Sequence, residues 1–158
     1  MRDKRFVAEH RGGPLTKENH RGLIRWAKEC SIHILPLMDE AIDARLTHAL
    51  NVCEEWENGH VATGVAMKAS VGAHAVAREL TNPISVAVAR SIGHAVATAH
   101  MADHSLGAAL YGLKAINLAG KSVDDEKEWQ MSQLQHLPTE IVELILTNFE
   151  VKAKSFKL

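Results

Sequence analysis

The segment RSIGHAVATAHMADHSLGAALYGLKA, Arg90–Ala115, decides the fold. It is built mostly from Ala, Gly and other small or apolar residues. Between Pro83 and Ala102 the only formally charged residue is Arg90. A helix that is apolar or small all round belongs in the middle of a bundle. Its Ala and Gly residues let neighbouring helices come close. The sequence leaves open whether Pro83 to about Leu118 forms one long helix or two helices separated near Asp103.

Outward from this segment the periodicity is helical nearly everywhere. Thr16 is placed to cap a helix with the apolar stripe Leu23, Ala27, Cys30, Ile34 and Met38, which Pro36 should kink or end. A second helix carries Leu46, Leu50, Cys53 and Trp56 and stops at Asn58-Gly59. A third lies between Val61 and Leu80. Asn82 and Pro83 then form a strong helix start. After Ala119-Gly120, Ser122 opens a short helix with Asp125 in the place of the usual capping-box Glu. Pro138-Thr139-Glu140 opens the last helix, with Ile141, Leu144, Ile145 and Phe149 as its stripe. No segment alternates as a strand would. The expectation is an all-α, compact multi-helix bundle of about five to seven helices around an Ala/Gly-rich central helix. It forms a single helical domain over 1–158, with an irregular segment over 1–15 and a frayed tail over 151–158.

The chain has 158 residues, 46% of them hydrophobic and 23% charged, which suits a globular core better than disorder. A formal net charge of −1 argues against a general nucleic-acid binder. The charged N-terminus lacks the apolar core of a signal peptide, and the uncharged run Ser91–Ala102 is too short to span a bilayer. A cytoplasmic protein is therefore expected. Two cysteines, Cys30 and Cys53, do not make a disulfide framework and read as small buried hydrophobes.

Three histidines in the opening segment raise a question of chemistry. On one straight helix, His100 and His104 are an i, i+4 pair on one face, and Arg90 and His94 form another. His94 lies roughly 120° around the wheel from His100, so the three cannot hold one ion from a single straight helix. His100 and His104 alone are weak metal-ligand candidates. A zinc site would need a further ligand such as His74, Asp103 or a Cys. No HExxH, CxxC or paired-carboxylate motif supports one, and no cofactor is expected. A group made of His104, Asp103 and Ser105 fails as a catalytic triad, because sequence neighbours point different ways on a helix. The simpler reading makes these histidines hydrogen-bonding members of a polar seam, with Arg90 and Asp103 as partners. Trp26, Trp56 and Trp129 read as packing residues, and Asp43-x-Arg45 as a helix-start interaction.

In this order, RFVAEHRGG (Arg5–Gly13), RWAKECSIHILPLMDE (Arg25–Glu40), DARLTHALNVCEEWENG (Asp43–Gly59), ARSIGHAVATAHMADHSLGAALYGLKA (Ala89–Ala115), KEWQ (Lys127–Gln130) and the LPTEIVELIL tail resemble the Imm-5-like family of putative immunity proteins. These are small all-helical proteins of bacterial polymorphic toxin systems. The resemblance implies an antitoxin that binds a cognate toxin protein and needs no catalysis of its own. It supplies no catalytic residue. The positions that match the family's polar signature are Arg45, Trp56, Arg90, His94, His100, Asp103, His104 and Trp129, in a role of fold or of binding. Two other functions compete with this one. One is a metal-dependent, nuclease-like helical hydrolase using His100 and His104. The other is a self-associating scaffold, since buried and interfacial helices look alike in sequence and a homo-oligomer stays open.

Overall fold

The computed structural model describes residues 2–158 and contains, among them, seven α-helices and no strand. They are α1 (Lys17–Ile34), α2 (Ala44–Glu57), α3 (Thr63–Glu79), α4 (Pro83–Ala97), α5 (His104–Leu118), α6 (Val123–Leu134) and α7 (Thr139–Phe156). The helix starts follow from local chemistry. Side chains of Thr16, Asp43, Asn82 and Ser122 accept hydrogen bonds from the amides of Asn19, Arg45, Ile84 and Asp125, which would otherwise be unpaired. Gly59 and Gly120 end α2 and α5 at φ +77° and +73°, a region that L side chains rarely adopt. Pro36 falls in a short 3-10 turn, Leu35–Leu37, that closes α1.

The Ala/Gly-rich region is two helices, not one. The break over residues 98–103 contains neither Gly nor Pro. Instead the Thr98 hydroxyl donates back to the His94 carbonyl at 3.1 Å, and the amides of Thr98, Ala99 and His100 make tighter bonds to Ala95, Val96 and Ala97. His20 of α1 holds the turn from outside through Nε2, 2.6 Å from the Thr98 carbonyl oxygen. The chain then reverses, and α5 packs against α4.

These two helices form the centre. α4 touches α1, α2, α3 and α5, while α5 also touches α6 and α7. One apolar cluster joins Leu46, Val88, Ile92 and Val96 with the α2 and α3 faces. The other joins Leu23, Trp26, Leu106, Leu110, Ile145 and Phe149. Buried hydroxyls stitch the close helix pairs together. The Ser31 and Ser91 hydroxyls pair at 2.8 Å, Ser91 donates to the Ala108 carbonyl, and Ser70 donates to that of Gly93. Each leaves a small side chain at a helix crossing with its polar atom satisfied.

α7 continues through Phe156 because that ring meets Tyr111 of α5 edge to face, with centroids 4.9 Å apart, and Ala153 packs on the second cluster. No helix among the described residues is long and apolar enough to cross a membrane.

Candidate functional site: a row of neutral histidines

The turn between α4 and α5 changes what the histidines can do. His100 sits in the turn, so it shares no helical face with His104. The reversal instead sets α5 beside α4 and lines up four imidazoles, from α3, α4, the turn and α5. Ring centroids are 5.2 Å apart for His74 and His94, 5.1 Å for His94 and His104, and 5.5 Å for His100 and His104. Tyr111 stacks on His94 at 5.2 Å.

Glycines make room for this row. A Cβ on Gly93 would lie 2.6 Å from His74 Nε2, and one on Gly107 2.6 Å from His94 Nδ1. Each imidazole thus fills a notch in the next helix, so α3 meets α4 and α4 meets α5 by the same device. The echoing segments SVGAHAVARELTN and SIGHAVATAHMAD supply the two inserted rings, His74 and His94.

Hydrogen bonds fix the protonation of the row. Arg90 Nη1 donates to His74 Nδ1 at 2.8 Å. A guanidinium only donates, so His74 keeps a lone pair on Nδ1 and its proton on Nε2. His94 and His104 face each other Nδ1 to Nδ1 at 3.0 Å, so one donates and the other accepts. Burial holds all four rings below the ordinary imidazole range. His74 is pushed down to about 4 and His94 to about 3, with neighbouring cations adding to the effect. For His104, burial outweighs the opposing pull of Asp103. His100 is lowered by burial, then by Arg11 and Arg2.

The row ends at Asp103. Its carboxylate faces Arg2 at 3.5 Å and Lys152 at 3.8 Å, while Oδ1 is buried without a partner, as is His100 Nδ1. A shallow cavity of about 340 Å³ opens there, lined by His94, Asp103, His104, Tyr111, Lys152 and Ser155 among others. The cavity holds no activated nucleophile. Ser105 Oγ is spent on the Ala102 carbonyl at 2.7 Å, away from His104. Cys30 and Cys53 are buried elsewhere, and burial raises both thiols, Cys53 to about 12. Among the described residues no three His, Cys, Asp or Glu are arranged to hold a metal ion.

Of the eight polar positions singled out in the sequence, Arg90, His94, His100, Asp103 and His104 come together here. Arg45 does not: it forks between Asp43 and Glu79 at the α2–α3 edge. Trp129 stacks on His33, which also contacts Glu126 at 2.7 Å. Trp56 tilts against His20 and donates to the Thr63 hydroxyl. Tyr111 and Lys152 join the row without any sequence signal, because their places depend on how α5 and α7 pack.

A family model described as Imm-5 like putative immunity protein matches residues 13–137. The match takes in α1 to α6 and the whole row apart from Arg2 and Lys152. It leaves out most of RFVAEHRGG and all of α7. No curated protein and no solved structure matches the chain.

Proposed function

The chain belongs to the Imm-5-like family of putative immunity proteins, and on that membership we propose that it neutralises a cognate bacterial toxin by binding it, with no catalysis of its own. The family match is the observation that carries this reading. The interior agrees with it. The histidines are neutral, wedged into glycine notches and bonded to one another, which suits a stiff scaffold better than a reaction centre. Such a scaffold acts through its surface. One apolar surface is the outer face of α3, where Val65, Met67 and Val71 are exposed beside Lys68. Contiguous exposed apolar side chains with a charged rim are the usual anatomy of a protein–protein contact. We propose the toxin as its occupant.

The test asks whether a toxin domain is encoded beside this gene and uses that domain. Its expression alone should arrest growth, co-expression of this chain should restore growth, and the two should co-purify at 1:1. Growth that stays arrested despite soluble expression of this chain would overturn the reading. A neighbouring gene that encodes no toxin would do the same.

A further inference from the structure

The last turns of α7 lie over the histidine row. The body of that helix is fixed: Phe149 is 2% exposed in the second apolar cluster, and Lys127 of α6 holds Glu150 at 2.6 Å. Beyond Glu150 the packing thins. Val151, Lys152, Lys154 and Ser155 are exposed, and Ala153 and Phe156 are half-buried. Besides the packing of Ala153, two contacts with the row hold this end. Lys152 Nζ lies 3.8 Å from Asp103 Oδ2, and the Phe156 ring meets Tyr111, which itself stacks on His94.

The pair beneath shares one proton. His94 and His104 meet Nδ1 to Nδ1 at 3.0 Å, which takes one N–H and one lone pair. The donating ring then keeps its lone pair on Nε2, and the accepting ring its proton there. A first added proton goes to the free Nε2, so the bond survives and the pair becomes a cation. A second must take the accepting Nδ1 and breaks the bond. The rings have little room to turn inward, since His94 already fills the notch at Gly107. Their open side is the cavity walled by Lys152, Ser155 and Phe156 of α7.

The groups around the pair are mostly of one sign. Arg90 of α4 and His74 of α3 face His94, with Arg78 behind His74. Arg2 of the N-terminal segment faces His104 and His100, and Arg11 faces His100. Lys152 of α7 faces both members of the pair. Asp103 opposes them, and its buried Oδ1 has no partner among the described residues. A charge on the pair therefore repels Lys152 and competes with it for Asp103.

We propose that the His94–His104 pair is a proton-controlled latch on the end of α7: residues 151–156 stay docked while the pair is neutral, and release beyond Glu150 when it gains charge. The sign follows from burial. With the tail docked, both rings are held below the ordinary imidazole value of 6.5; with the tail off, they stand nearer to water and to that value. The released form therefore takes up protons first. Each pH unit below about 6.5 favours it by as much as about tenfold for each ring that charges. The latch does not depend on a toxin contact at Val65, Met67 and Val71.

Backbone amide relaxation of the full chain, measured by NMR at pH 7.5, 6.0 and 4.5 with the imidazole shifts of His94 and His104, tests it. Order parameters for residues 152–156 should stand near about 0.85 at pH 7.5 and fall below about 0.6 at pH 4.5 in step with the ring shifts, while Ile141–Phe149 keep theirs. The double variant His94→Gln with His104→Gln has no ring to charge there and should hold the tail ordered at pH 4.5. Lys152→Met, at an exposed position, decides the matter if the double variant does not fold. Without the neighbouring cation the rings should charge at higher pH, and the tail, no longer repelled, should stay ordered to lower pH. A tail that is mobile at pH 7.5, or still ordered at pH 4.5 in the native chain, would overturn the proposal. So would loss of order in Ile141–Phe149 together with the tail, or a release that the variants leave unchanged.

Discussion

The imidazole of His94 occupies the space that a methyl group on Gly107 would need. The two residues belong to helices that pack along their lengths, and the missing side chain is what lets them meet. In an ordinary helix interior, Gly→Ala is stabilising by about 0.5–1 kcal/mol, because Gly loses more chain entropy on folding. Here the sign should reverse. Gly107→Ala forces the ring out of its notch, and overpacking of this kind costs about 1–3 kcal/mol. Gly93→Ala should do the same through His74. Gly64→Ala is the control, since nothing lies within 4 Å of a Cβ there. Urea denaturation of the three variants measures this. Equal or higher stability of Gly107→Ala would show that the notch is not tight.

The histidine row makes stability depend on pH in a window that the ion-paired carboxylates do not share; Glu29, which burial raises, acts in the opposite sense, gaining stability as pH falls. His74 and His94 titrate lower in the folded chain than in the unfolded one. The unfolded state therefore takes up protons first as pH falls. The stability from these groups is fully present above about pH 6.5, declines below it, and is lost as pH passes their folded values near 4 and 3. The limiting slope is about 1.4 kcal/mol per pH unit for each differentially bound proton. Asp3, Asp43, Glu79 and Glu150 are also lowered, so their contributions disappear only below about pH 4.5. Between pH 6.5 and 5 the decline belongs to histidine. Denaturation midpoints at pH 7.5, 6.0 and 5.0 should fall in that order, and His94→Gln should flatten the trend. A midpoint that is level from pH 7.5 to 5.0 would contradict the neutral row.

What the sequence could show was local chemistry. Thr16, Asp43, Asn82 and Ser122 cap helices with side chains two or three residues from the amides they bind, so their roles are visible in the chain itself. The break before His104 stood there only as one of two possibilities, because no Gly or Pro marks it. Thr98 makes it locally, and His20, 78 residues away, secures it. The same break decides the site. On a continuous helix His94 and His104 would lie about 15 Å apart along the axis, whereas the reversal brings their Nδ1 atoms to 3.0 Å. His74 was visible as a histidine, but its partner notch at Gly93 belongs to another helix. Tyr111 and Lys152 carry no pattern at all. Residues 90–104 were legible as the place; the pairing inside it needed the packing.

The pairing also bears on metal binding. His94 and His104 already satisfy each other, and among the described residues no third ligand is placed to complete a site. A bound transition metal would have to displace that hydrogen bond and find another donor. Protein purified without a His tag should therefore melt at the same temperature with and without EDTA. Stoichiometric zinc together with a clear drop in melting temperature on chelation would instead make the pair a metal site and revive the hydrolase reading.

The outer face of α3 gives the toxin reading its sharpest test. Val71 is 67% exposed, so replacing it should change stability by less than about 0.5 kcal/mol. If the toxin covers this face, Val71 and Met67 sit inside the contact, and a charge there must be desolvated without a partner. Val71→Glu and Met67→Lys should each weaken toxin binding by at least about tenfold, or roughly 1.4 kcal/mol, while the melting temperature holds. Val151→Lys on α7, at an equally exposed apolar position, is the control and should leave binding unchanged. Titration calorimetry with the purified toxin domain separates the outcomes. Loss of binding in Val151→Lys alone would move the contact to α7. Full binding by all three variants would remove both apolar surfaces and leave a polar face as the place where the toxin is held.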